Sequence, residues 1–374
     1  MEPFEKIGIV GGGQLAVMMA EAASRIGLGI AVLASSPDDP IFRVTPDVFV
    51  GNPKSLTDLR RLADMTQAIT FDHELVDPAV LDLLAAEGVV MRPGPRALAV
   101  AIDKHRQFEL FKKLGLSMPE TVIAHDVESA LAGTATFAGE AVLKMSTGGY
   151  DGRGVLLDTD RTSVREWFHS VTGPVLVQQK LSIDEEIAVQ VVRSSTGEIV
   201  QYSPVRTTQA NGMCTTVEVP SGLHGEIELV ASSIARTIAE AIDVVGVLTV
   251  ELFAIDGELH INEIAARPHN SGHLTIESAR TSQFENHLRA VAGHPLGDTD
   301  LIVTAAAMCN IVGSEGMSER IGPLPGHVAV HLYGKVPRPG RKLGHVTCVA
   351  STTQDAVAGA RRGARDIEQR RFEP

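Results

Sequence analysis

A short acidic hairpin constrains this chain more than any other feature of its sequence. Residues 248–273 read LTVELFAIDGELHINEIAARPHNSGH, and the Asp-Gly pair at 256–257 between two apolar runs predicts a tight β-hairpin turn. One predicted strand carries Glu251, and the other carries Asn262 and Glu263. Carboxylates beside an amide are typical ligands of hard cations, and Mg²⁺ is the hard cation most often handled together with phosphates. The hairpin therefore predicts a site for magnesium and phosphate.

The spacing of the two glutamates sets a structural condition on that site. A regular two-residue loop would place Glu251 opposite Asn262 and would turn Glu263 to the other face of the sheet. Both carboxylates reach one face only if the loop has an odd number of residues or a β-bulge shifts the pairing. The alternative is an ordinary edge hairpin with solvated glutamates. The polar run at 267–273 supplies cationic and hydrogen-bonding groups that could hold an anionic substrate.

Composition excludes several classes of protein. The chain has 374 residues, which predicts two or three domains, and its formal net charge of −13 argues against a protein that coats nucleic acid. Residues 1–10 show no secretory signal, and the longest apolar stretch, 301–312, is too short to span a bilayer. Cys214, Cys309 and Cys348 follow no metal-binding or redox spacing, so we expect buried, reduced thiols in a cytosolic protein.

The N-terminal part alternates between predicted strands and helices, which is typical of a parallel sheet with covering helices. The predicted elements are a strand at 6–10, a helix at 14–25, a strand at 29–33, and further elements at 56–65, 68–71 and 79–87. The turn Gly11-Gly12-Gly13 fits a dinucleotide fingerprint, but no carboxylate follows the second strand where a ribose-binding one is expected. The turn is therefore either a phosphate-binding helix N-terminus or simply a tight strand–helix connection.

The middle of the chain carries a second glycine-rich segment. A predicted helix at 97–114 ends at Gly115, and a predicted strand at 140–145 then runs into GGYDGRG at 148–154. Lys144 precedes this loop, so the loop amides and the lysine could close together on phosphate oxygens; the alternative is a mobile hairpin. Predicted strands at 155–157, 174–179 and 186–192 complete a small unit that we expect to be mostly antiparallel.

The C-terminal part begins with a long amphipathic helix predicted at 226–246 and continues into the acidic hairpin, with strands at 247–253 and 258–264. The tail adds short predicted strands at 328–333 and 344–349. Between them, residues 335–342 place four cations around two prolines. Such a segment is either a solvated loop or a rigid clamp for phosphate.

Five motifs, taken together, resemble one family, the 5-(carboxyamino)imidazole ribonucleotide synthases. They are GGGQLAVMM at 11–19, TFDHE at 70–74, KMSTGGYDGRG at 144–154, VELF followed by INEIAARPHNSGH within 250–273, and HLYGKVPRPGRKLGH at 331–345. They occur in the right order over nearly the whole chain. The family comprises ATP-grasp ligases of microbial purine biosynthesis.

The resemblance implies an α/β fold, α+β overall, that combines an ATP-grasp fold with an N-terminal Rossmann-like pre-ATP-grasp domain built on a parallel sheet. The implied domains are 1–100 (pre-ATP-grasp), 101–190 (small lid with a preceding linker helix) and 191–374 (central ATP-grasp domain with a C-terminal extension). The resemblance also implies a homodimer, while the net charge, the short apolar stretch and the cysteine spacing predict a cytoplasmic protein that binds no nucleic acid or membrane. Its reaction would convert ATP, bicarbonate and 5-aminoimidazole ribonucleotide (AIR) to the carboxyamino product, ADP and phosphate, with Mg²⁺ or alternatively Mn²⁺ as cofactor.

The resemblance also assigns roles to residues by position. Those implied to hold ATP are Lys104, Lys144, Gly149, Tyr150, Asp151, Gly152, Arg153, Gly154, Val155, Gln178, Gln179, Lys180, Leu181, Glu186, Gln209, Asn262 and Glu263. Glu251 and Glu263 are implied to bind the metal. Those implied to line the AIR and carboxyphosphate site are Glu74, Tyr150, Arg153, Arg267, Lys335 and Arg341, with the Gly13-Gln14 turn facing the ribonucleotide.

Three positions depart from the family pattern. Gln178 stands where many members have glutamate, Gln209 where many have histidine, and Ala266 where proline usually precedes Arg267. None of these changes removes a charge that the chemistry requires. The alternatives left open are a sibling ATP-grasp ligase similar to formate-using glycinamide ribonucleotide transformylase or to biotin carboxylase, a silent nucleotide-binding paralogue, and a dinucleotide oxidoreductase.

Overall fold

The N-terminal unit is the predicted parallel sheet. The computed structural model describes residues 2–149, 154–210, 212–318 and 324–370. The sheet has the order β3-β2-β1-β4 with every pair parallel. Its strands are β1 Lys6–Val10, β2 Gly29–Ala34, β3 Val48–Val50 and β4 Ala68–Phe71, and its helices are α1 Gln14–Arg25, α2 Leu56–Asp64, α3 Pro78–Ala86 and α4 Pro95–Ile102. Ile9 joins the apolar core that contains α1, whereas Val10 joins the one that contains α2 and α3, so both faces of the sheet are covered.

The helix predicted at 97–114 is two helices, so that prediction was wrong. After α4, Asp103 takes an extended conformation, and α5 then spans Lys104–Lys113. The Asp103 carboxylate accepts hydrogen bonds from the backbone amides of His105 and Arg106 and from the Ser146 hydroxyl. Asp103 therefore starts a new helix, because its side chain satisfies amides that a continuous helix would bond internally.

The small unit is antiparallel, as predicted. Its sheet has the order β5-β8-β6-β7, with strands β5 Thr121–Ala124, β6 Ala141–Met145, β7 Val155–Leu156 and β8 Val175–Gln179. Two helices pack with it, α6 Val127–Thr136 and α7 Arg161–Phe168. Its apolar core is drawn entirely from residues 122–177 among those described.

A nine-stranded sheet forms the central unit, with the path β14-β13-β9-β11-β12-β15-β17-β16 and β10 paired to β9. Its strands are β9 Glu185–Arg193, β10 Ile199–Gln201, β11 Val205–Ala210, β12 Met213–Val219, β13 Gly246–Ile255, β14 Glu258–Ala265, β15 Ala305–Val312, β16 Ala329–Leu332 and β17 Lys342–Ala350. Its helices are α8 Gly225–Ile242, α9 Thr275–Ser278, α10 Gln283–Ala292 and α11 Thr353–Arg370. The strand predicted at 186–192 was assigned to the small unit, but as β9 it belongs here, and the expected boundary at 190 falls inside it.

The apolar stretch at 301–312 contains β15, which lies between β12 and β17 and is covered by α11. Among the described residues, no helix has the length and apolar character needed to cross a membrane. The three cysteines are unbridged, but only Cys348 is buried, so the expectation of buried thiols was wrong for Cys214 and Cys309.

Helix α10 joins the first unit to the central one. Phe284 and Leu288 of α10 lie in the same apolar core as Ile7 and Met19 of the first unit, and Tyr333 from the tail enters this core too. His287, between them on the helix, bonds to the first unit through Thr70 and to β13 through the Val247 amide. These contacts fix the relative positions of the polar motifs.

Candidate active site

The acidic hairpin meets the condition set by its sequence. Asp256 and Gly257 both have positive φ, 50° and 80°, so the loop is the tight two-residue kind. The register pairs Glu251 directly with Glu263 and Leu252 with Ile261, and it therefore skips one residue of β14. The expected bulge is confirmed: it is centred on Asn262, and it brings the two carboxylates to one face.

Asn262 connects the bulge to the small unit. Its amide nitrogen donates to Glu251 Oε2 at 3.2 Å, and its oxygen accepts from Lys144 Nζ at 2.7 Å. Glu263 forms an ion pair with Lys104 of α5. Burial raises the pKa of Glu251, and the ammonium groups of Lys104 and Lys144 oppose that rise. Two carboxylates, an amide and two ammonium groups thus lie at the junction of the two units.

Lys144 is held in an environment that disfavours its charge. Burial and the neighbouring Lys104 ammonium lower the pKa of Lys144 to about 7, although Glu251 and Glu186 partly offset this. Burial also lowers the pKa of Lys104. Two neighbouring lysines with lowered pKa values favour the binding of a polyanion, since added negative charge raises the pKa of both back toward the usual value.

Glu186 lies on the same face of the large sheet as Glu251. Strand β9 places Glu186 opposite Phe253, two residues from Glu251 on β13. The Gln209 side chain hydrogen-bonds to the Glu186 carboxylate, while burial and the Glu251 charge raise the pKa of Glu186 to about 6. The structure therefore brings Gln209, one of the three departures from the family pattern, into the predicted site.

A partly apolar pocket opens beside these groups, between α5, β14 and the small sheet. Its lining combines the two lysines and Asn262 with aromatic and aliphatic side chains: Lys104, Gln107, Phe108, Phe111, Met118, Lys144, Leu176, Gln178, Ile261 and Asn262. Gln178, the second departure, is buried here and donates to Thr121 Oγ1 at 3.1 Å. Gln179 and Lys180 are exposed and Leu181 is partly exposed, and none of the three lines this pocket.

The glycine-rich loop is described only at its ends. Gly149, Gly154 and Val155 are described, whereas Tyr150, Asp151, Gly152 and Arg153 lie outside the described residues. Gly154 has a φ of 77°, and its carbonyl accepts from the Met145 amide at 2.8 Å. The amide of Lys104 donates to the Ser146 carbonyl at 2.8 Å, so the loop base is tied to the first turn of α5.

A second polar cluster lies across the face of the hairpin. Arg267 Nε is 3.4 Å from Glu74 Oε2, while Glu74 Oε1 is buried with no hydrogen-bond partner among the described residues. His269 Nε2 is 3.3 Å from Glu251 Oε1. The sequence marked the run 267–273 as polar, but it did not single out His269, because nothing local indicates which side chain of the run points at the glutamates.

His269 is neutral, and its Nε2 faces the Glu251 carboxylate. The Ser271 amide donates to His269 Nδ1 at 3.3 Å, so Nε2 carries the proton. Burial and the nearby Arg267 and Lys342 charges lower the pKa of His269 to about 3. Gln283 fixes the His269 backbone from both sides, accepting from its amide at 2.9 Å and donating to its carbonyl at 2.8 Å.

The first glycine turn and the basic tail meet near this cluster. Lys335 Nζ donates to Gln14 Oε1 at the start of α1. The Gly13 amide donates to Asp72 Oδ2 at 2.7 Å, so an internal carboxylate already uses part of the anion-binding capacity of that helix end. Arg341 is partly exposed, and its guanidinium donates to the Val336 carbonyl at 3.1 Å.

Three family models match the chain in series. They are the ribonucleotide synthetase pre-ATP-grasp domain over residues 4–102, the ATP-grasp domain over residues 109–284 and the phosphoribosylaminoimidazole carboxylase C-terminal domain over residues 306–358. The matches follow the order of the parallel sheet, the small unit with most of the central sheet, and the strands and helix of the tail.

Relatives match over nearly the whole length of the chain. The N5-carboxyaminoimidazole ribonucleotide synthase of Mycobacterium leprae is 42% identical over 363 residues, which cover 91% of this chain and 83% of the relative. The enzyme of the same name from Synechococcus elongatus is 35% identical, and the match covers 95% of this chain and 93% of the relative. A crystal structure of N5-carboxyaminoimidazole synthase from Aspergillus clavatus with ADP and AIR superposes with a TM-score of 0.87 at 28% identity, covering 99% of this chain and all of that one, 100%.

Proposed function

The chain belongs to the N5-carboxyaminoimidazole ribonucleotide synthases, and from that premise we propose how its residues divide the work of this ATP-dependent reaction. The family's reaction carboxylates AIR with bicarbonate in purine biosynthesis and releases ADP and phosphate. The observation that carries the assignment of residues is the junction between the bulged hairpin and the small unit, where Lys144 of the lid bonds to Asn262 of the central sheet.

The partly apolar pocket is the proposed site of the ATP base. Phe108, Met118 and Leu176 offer apolar surface to a planar ring, and Gln178 offers an amide at its edge. Glu186 is proposed to accept from the ribose hydroxyls, and Lys104 and Lys144 to hold the phosphates. The loop from Gly149 to Val155, with Tyr150, Asp151, Gly152 and Arg153 within it, is proposed to close over them and exclude water.

The Glu251 and Glu263 carboxylates fit a bound Mg²⁺. Among the described residues, no group of three or more His, Cys, Asp and Glu side chains could hold a metal ion. A metal ion bound here would therefore need further ligands from the substrate or from water. Mg²⁺ in phosphoryl-transfer sites is commonly held by one or two carboxylates together with substrate phosphates, which suits this pair. When bound, the ion would neutralise charge on the phosphate oxygens.

The second cluster is the proposed site of carboxyl transfer. Bicarbonate oxygen attacks the γ-phosphoryl group, ADP leaves, and carboxyphosphate forms; the amine of AIR then receives the carboxyl group as phosphate departs. Arg267 and Lys335 are proposed to hold the anionic intermediate, with Tyr150, Arg153 and Arg341 lining the same site. Glu74, whose second oxygen is buried without a hydrogen-bond partner among the described residues, is proposed to face the AIR amine.

The experiment that tests this function is a coupled assay of ADP release with each substrate omitted in turn. We expect turnover to require ATP, bicarbonate and AIR together. Glu263→Gln removes one charge from the metal pair, and its kcat is expected to fall by about 100-fold or more, as for other electrostatic stabilisers of transition states. Turnover with formate replacing bicarbonate, or an unchanged rate in Glu263→Gln, would contradict the assignment.

Quaternary structure and location complete the proposal. We infer a homodimer in the cytoplasm that binds no nucleic acid or membrane, in keeping with the family and with the net charge of −13. Light scattering on the purified chain is expected to give twice the mass of 39.8 kDa, and a monomer at micromolar concentration would contradict the dimer.

A further inference from the structure

Tyr333 is the only described tail residue in the apolar core of the first unit. It is buried, and its hydroxyl lies 2.8 Å from His345 Nδ1. Its backbone amide donates to the Leu343 carbonyl at 2.8 Å, which continues the pairing of β16 with β17 by one residue. Tyr333 is therefore held at its backbone by the central sheet, at its ring by the first unit, and at its hydroxyl by His345.

His345 is itself fixed on two sides. The His331 ring, directly opposite on β16, stacks on it with a centroid distance of 4.5 Å and an interplanar angle of 12°. The His273 ring lies on another side at 5.0 Å. Burial holds the pKa of His345 well below its usual range, and burial also raises that of Tyr333, so both are neutral near pH 7. The hydrogen bond between them is therefore a fixed link between neutral groups and is independent of pH in the physiological range.

A constrained glycine directly follows Tyr333. Gly334 has a φ of 64°, and a Cβ there would come within 2.5 Å of the Arg43 guanidinium, so only glycine fits this position without displacing that side chain. Lys335 comes next, and its Nζ lies over the ring of Tyr333, 5.8 Å from the ring centroid, and donates to Gln14 Oε1. The Lys335 ammonium thus contacts both the Gln14 side chain and the face of the Tyr333 ring.

We propose that the Tyr333–His345 hydrogen bond is a positioning element for Lys335, and so sets the affinity for the ribonucleotide without touching it. The inference rests on the proposed role of Lys335 in the AIR and carboxyphosphate site. Without the hydroxyl, the ring still fills the core but is free to shift along it, and the lysine moves with it. A shift of about 1 Å at a substrate-positioning group can cost as much as 100-fold in rate.

The test is Tyr333→Phe, with Tyr202→Phe as its matched control. Tyr202 is also buried, and its hydroxyl is also bonded, to the Thr281 carbonyl at 3.0 Å and to Asn286 at 2.9 Å, but neither of these partners belongs to the proposed site. Each change removes one buried hydroxyl, and because the Tyr202 hydroxyl makes two hydrogen bonds, the control is expected to cost at least as much stability as Tyr333→Phe. We expect Tyr333→Phe to raise the apparent KM for AIR about tenfold while the KM for ATP stays within about twofold, and Tyr202→Phe to change neither.

Three further variants separate the inference from its premise. Lys335→Met is expected to raise the KM for AIR at least as much as Tyr333→Phe; an unchanged KM in Lys335→Met would overturn the proposed role of the lysine. His345→Leu breaks the same hydrogen bond from the other side and is expected to reproduce Tyr333→Phe. His345→Asn keeps an amide at the position of Nδ1 and is expected to recover most of the KM.

Thermal melting is measured on every variant first, and the affinity for ATP is measured as a check on the fold. If Lys335→Met impairs AIR binding but Tyr333→Phe behaves like Tyr202→Phe, the positioning role is wrong although the proposed site stands. Equal losses for AIR and ATP in Tyr333→Phe would also overturn it, because they would indicate general destabilisation.

Discussion

Gln107 holds the strand that carries the proposed metal pair. It is buried on α5, and its side-chain oxygen accepts from the Ile264 amide at 3.0 Å while its nitrogen donates to the Ala101 carbonyl at 2.9 Å and to the Ile264 carbonyl at 3.4 Å. Strand β14 is at the edge of the large sheet, so these bonds stand in for a neighbouring strand. Ile264 directly follows Glu263, and any movement of that edge moves the carboxylate.

Gln107→Leu is expected to weaken binding of Mg²⁺ rather than to abolish catalysis. The change leaves the Ile264 amide and carbonyl without partners, at a cost of roughly 1–3 kcal/mol, and loosens the strand next to the bulge. The Mg²⁺ concentration for half-maximal activity should rise about fivefold to tenfold, with activity largely restored at high Mg²⁺. An Mg²⁺ titration of the steady-state rate measures this.

Gln107→Glu is the matched variant, since its carboxylate can still accept from the Ile264 amide but cannot donate. It should fall between the native enzyme and Gln107→Leu. Identical Mg²⁺ titrations for all three proteins would show that the edge strand holds Glu263 without this side chain.

Among single residues, the sequence predicted the charged side chains of the site better than the neutral side chains that contact and position them. Glu251, Glu263 and Lys144 could be found because a carboxylate or a lysine in an apolar strand needs an explanation. His269 and Gln107 could not, since a histidine or glutamine has many ordinary environments. Their roles arise from contacts with residues far away in sequence, such as Gln107 with Ile264.

Helix α10 is the element that joins two units through a histidine. His287 is fully buried; its Nε2 lies 2.7 Å from Thr70 Oγ1 of β4, and its Nδ1 accepts from the Val247 amide of β13 at 3.1 Å. Gly246 must lack a side chain here, because a Cβ would come within 2.8 Å of the His287 ring. Burial lowers the pKa of His287 to about 3.

This burial predicts a loss of stability in acid. The folded chain binds a proton at His287 only near pH 3, whereas the unfolded chain binds one near the ordinary value of 6.5. The free energy of unfolding is therefore insensitive to this group above about pH 7.5 and declines as pH falls below 6.5, by about 2 kcal/mol at pH 5. The neutral His273 and His345 add to the decline in the same direction.

Urea unfolding of the native chain and His287→Gln at pH 7.5 and pH 5 measures the contribution of His287. The variant should be less stable at pH 7.5, yet it should lose about 2 kcal/mol less than the native chain between the two pH values. His169→Gln, at an exposed position, serves as the control and should keep the native pH dependence. Equal losses for native and His287→Gln would contradict the prediction.

Helices and strands were predicted correctly where their bounds depend on neighbouring residues in the sequence. The bounds of β1, α1 and β4 follow from apolar periodicity and turn residues, and the sequence located them correctly. The break at Asp103 was missed although part of its cause is local: the Asp103 side chain caps the amides of His105 and Arg106, and only the Ser146 hydroxyl that also bonds to it lies in another unit. The sheet to which β9 belongs was predicted wrongly because the residues of β9 alone do not indicate that it pairs with β11 and β13.

At the scale of the whole molecule, the three units are not joined equally. The first and central units share an apolar core through α10 and Tyr333. The small unit instead has a core of its own, and its described links to the rest include the Lys144–Asn262 and Asp103–Ser146 hydrogen bonds. Because the core of the small unit shares no residue with the other described cores, we expect this unit to unfold separately from the other two.

The chain offers a probe for this difference. Its single tryptophan, Trp167, lies on α7 of the small unit and packs edge-on to Phe168 with ring centroids 5.9 Å apart. Tryptophan fluorescence should therefore report unfolding at a lower urea concentration than circular dichroism, which follows all helices. Coincident transitions would show that the three units unfold together.

Nucleotide should bring the two transitions closer. The proposed ATP site uses Lys144 and Gln178 of the small unit together with Asn262 of the central one, so ATP can bind only when the small unit is folded. At about 100 times its Kd, ATP should stabilise the small unit by about 2.7 kcal/mol and shift the fluorescence transition to higher urea. AIR alone, used as the control, should shift it less.

The bulge at Asn262 brings more polar side chains to one face of β14 than a regular strand would. On a regular strand, consecutive side chains point to opposite faces, and residues that share a face are about 6.6–6.8 Å apart. An extra residue lets β14 present Asn262 and Glu263 together, opposite Glu251, while Ile261 and Ile264 on either side stay buried. In this hairpin, therefore, the buried isoleucines stabilise the fold, whereas Asn262 and the glutamates form the proposed site. A chain with alanine in place of Asn262 would keep its strand pairing and its apolar packing, and would lose the hydrogen bonds that Asn262 makes to Glu251 and to Lys144.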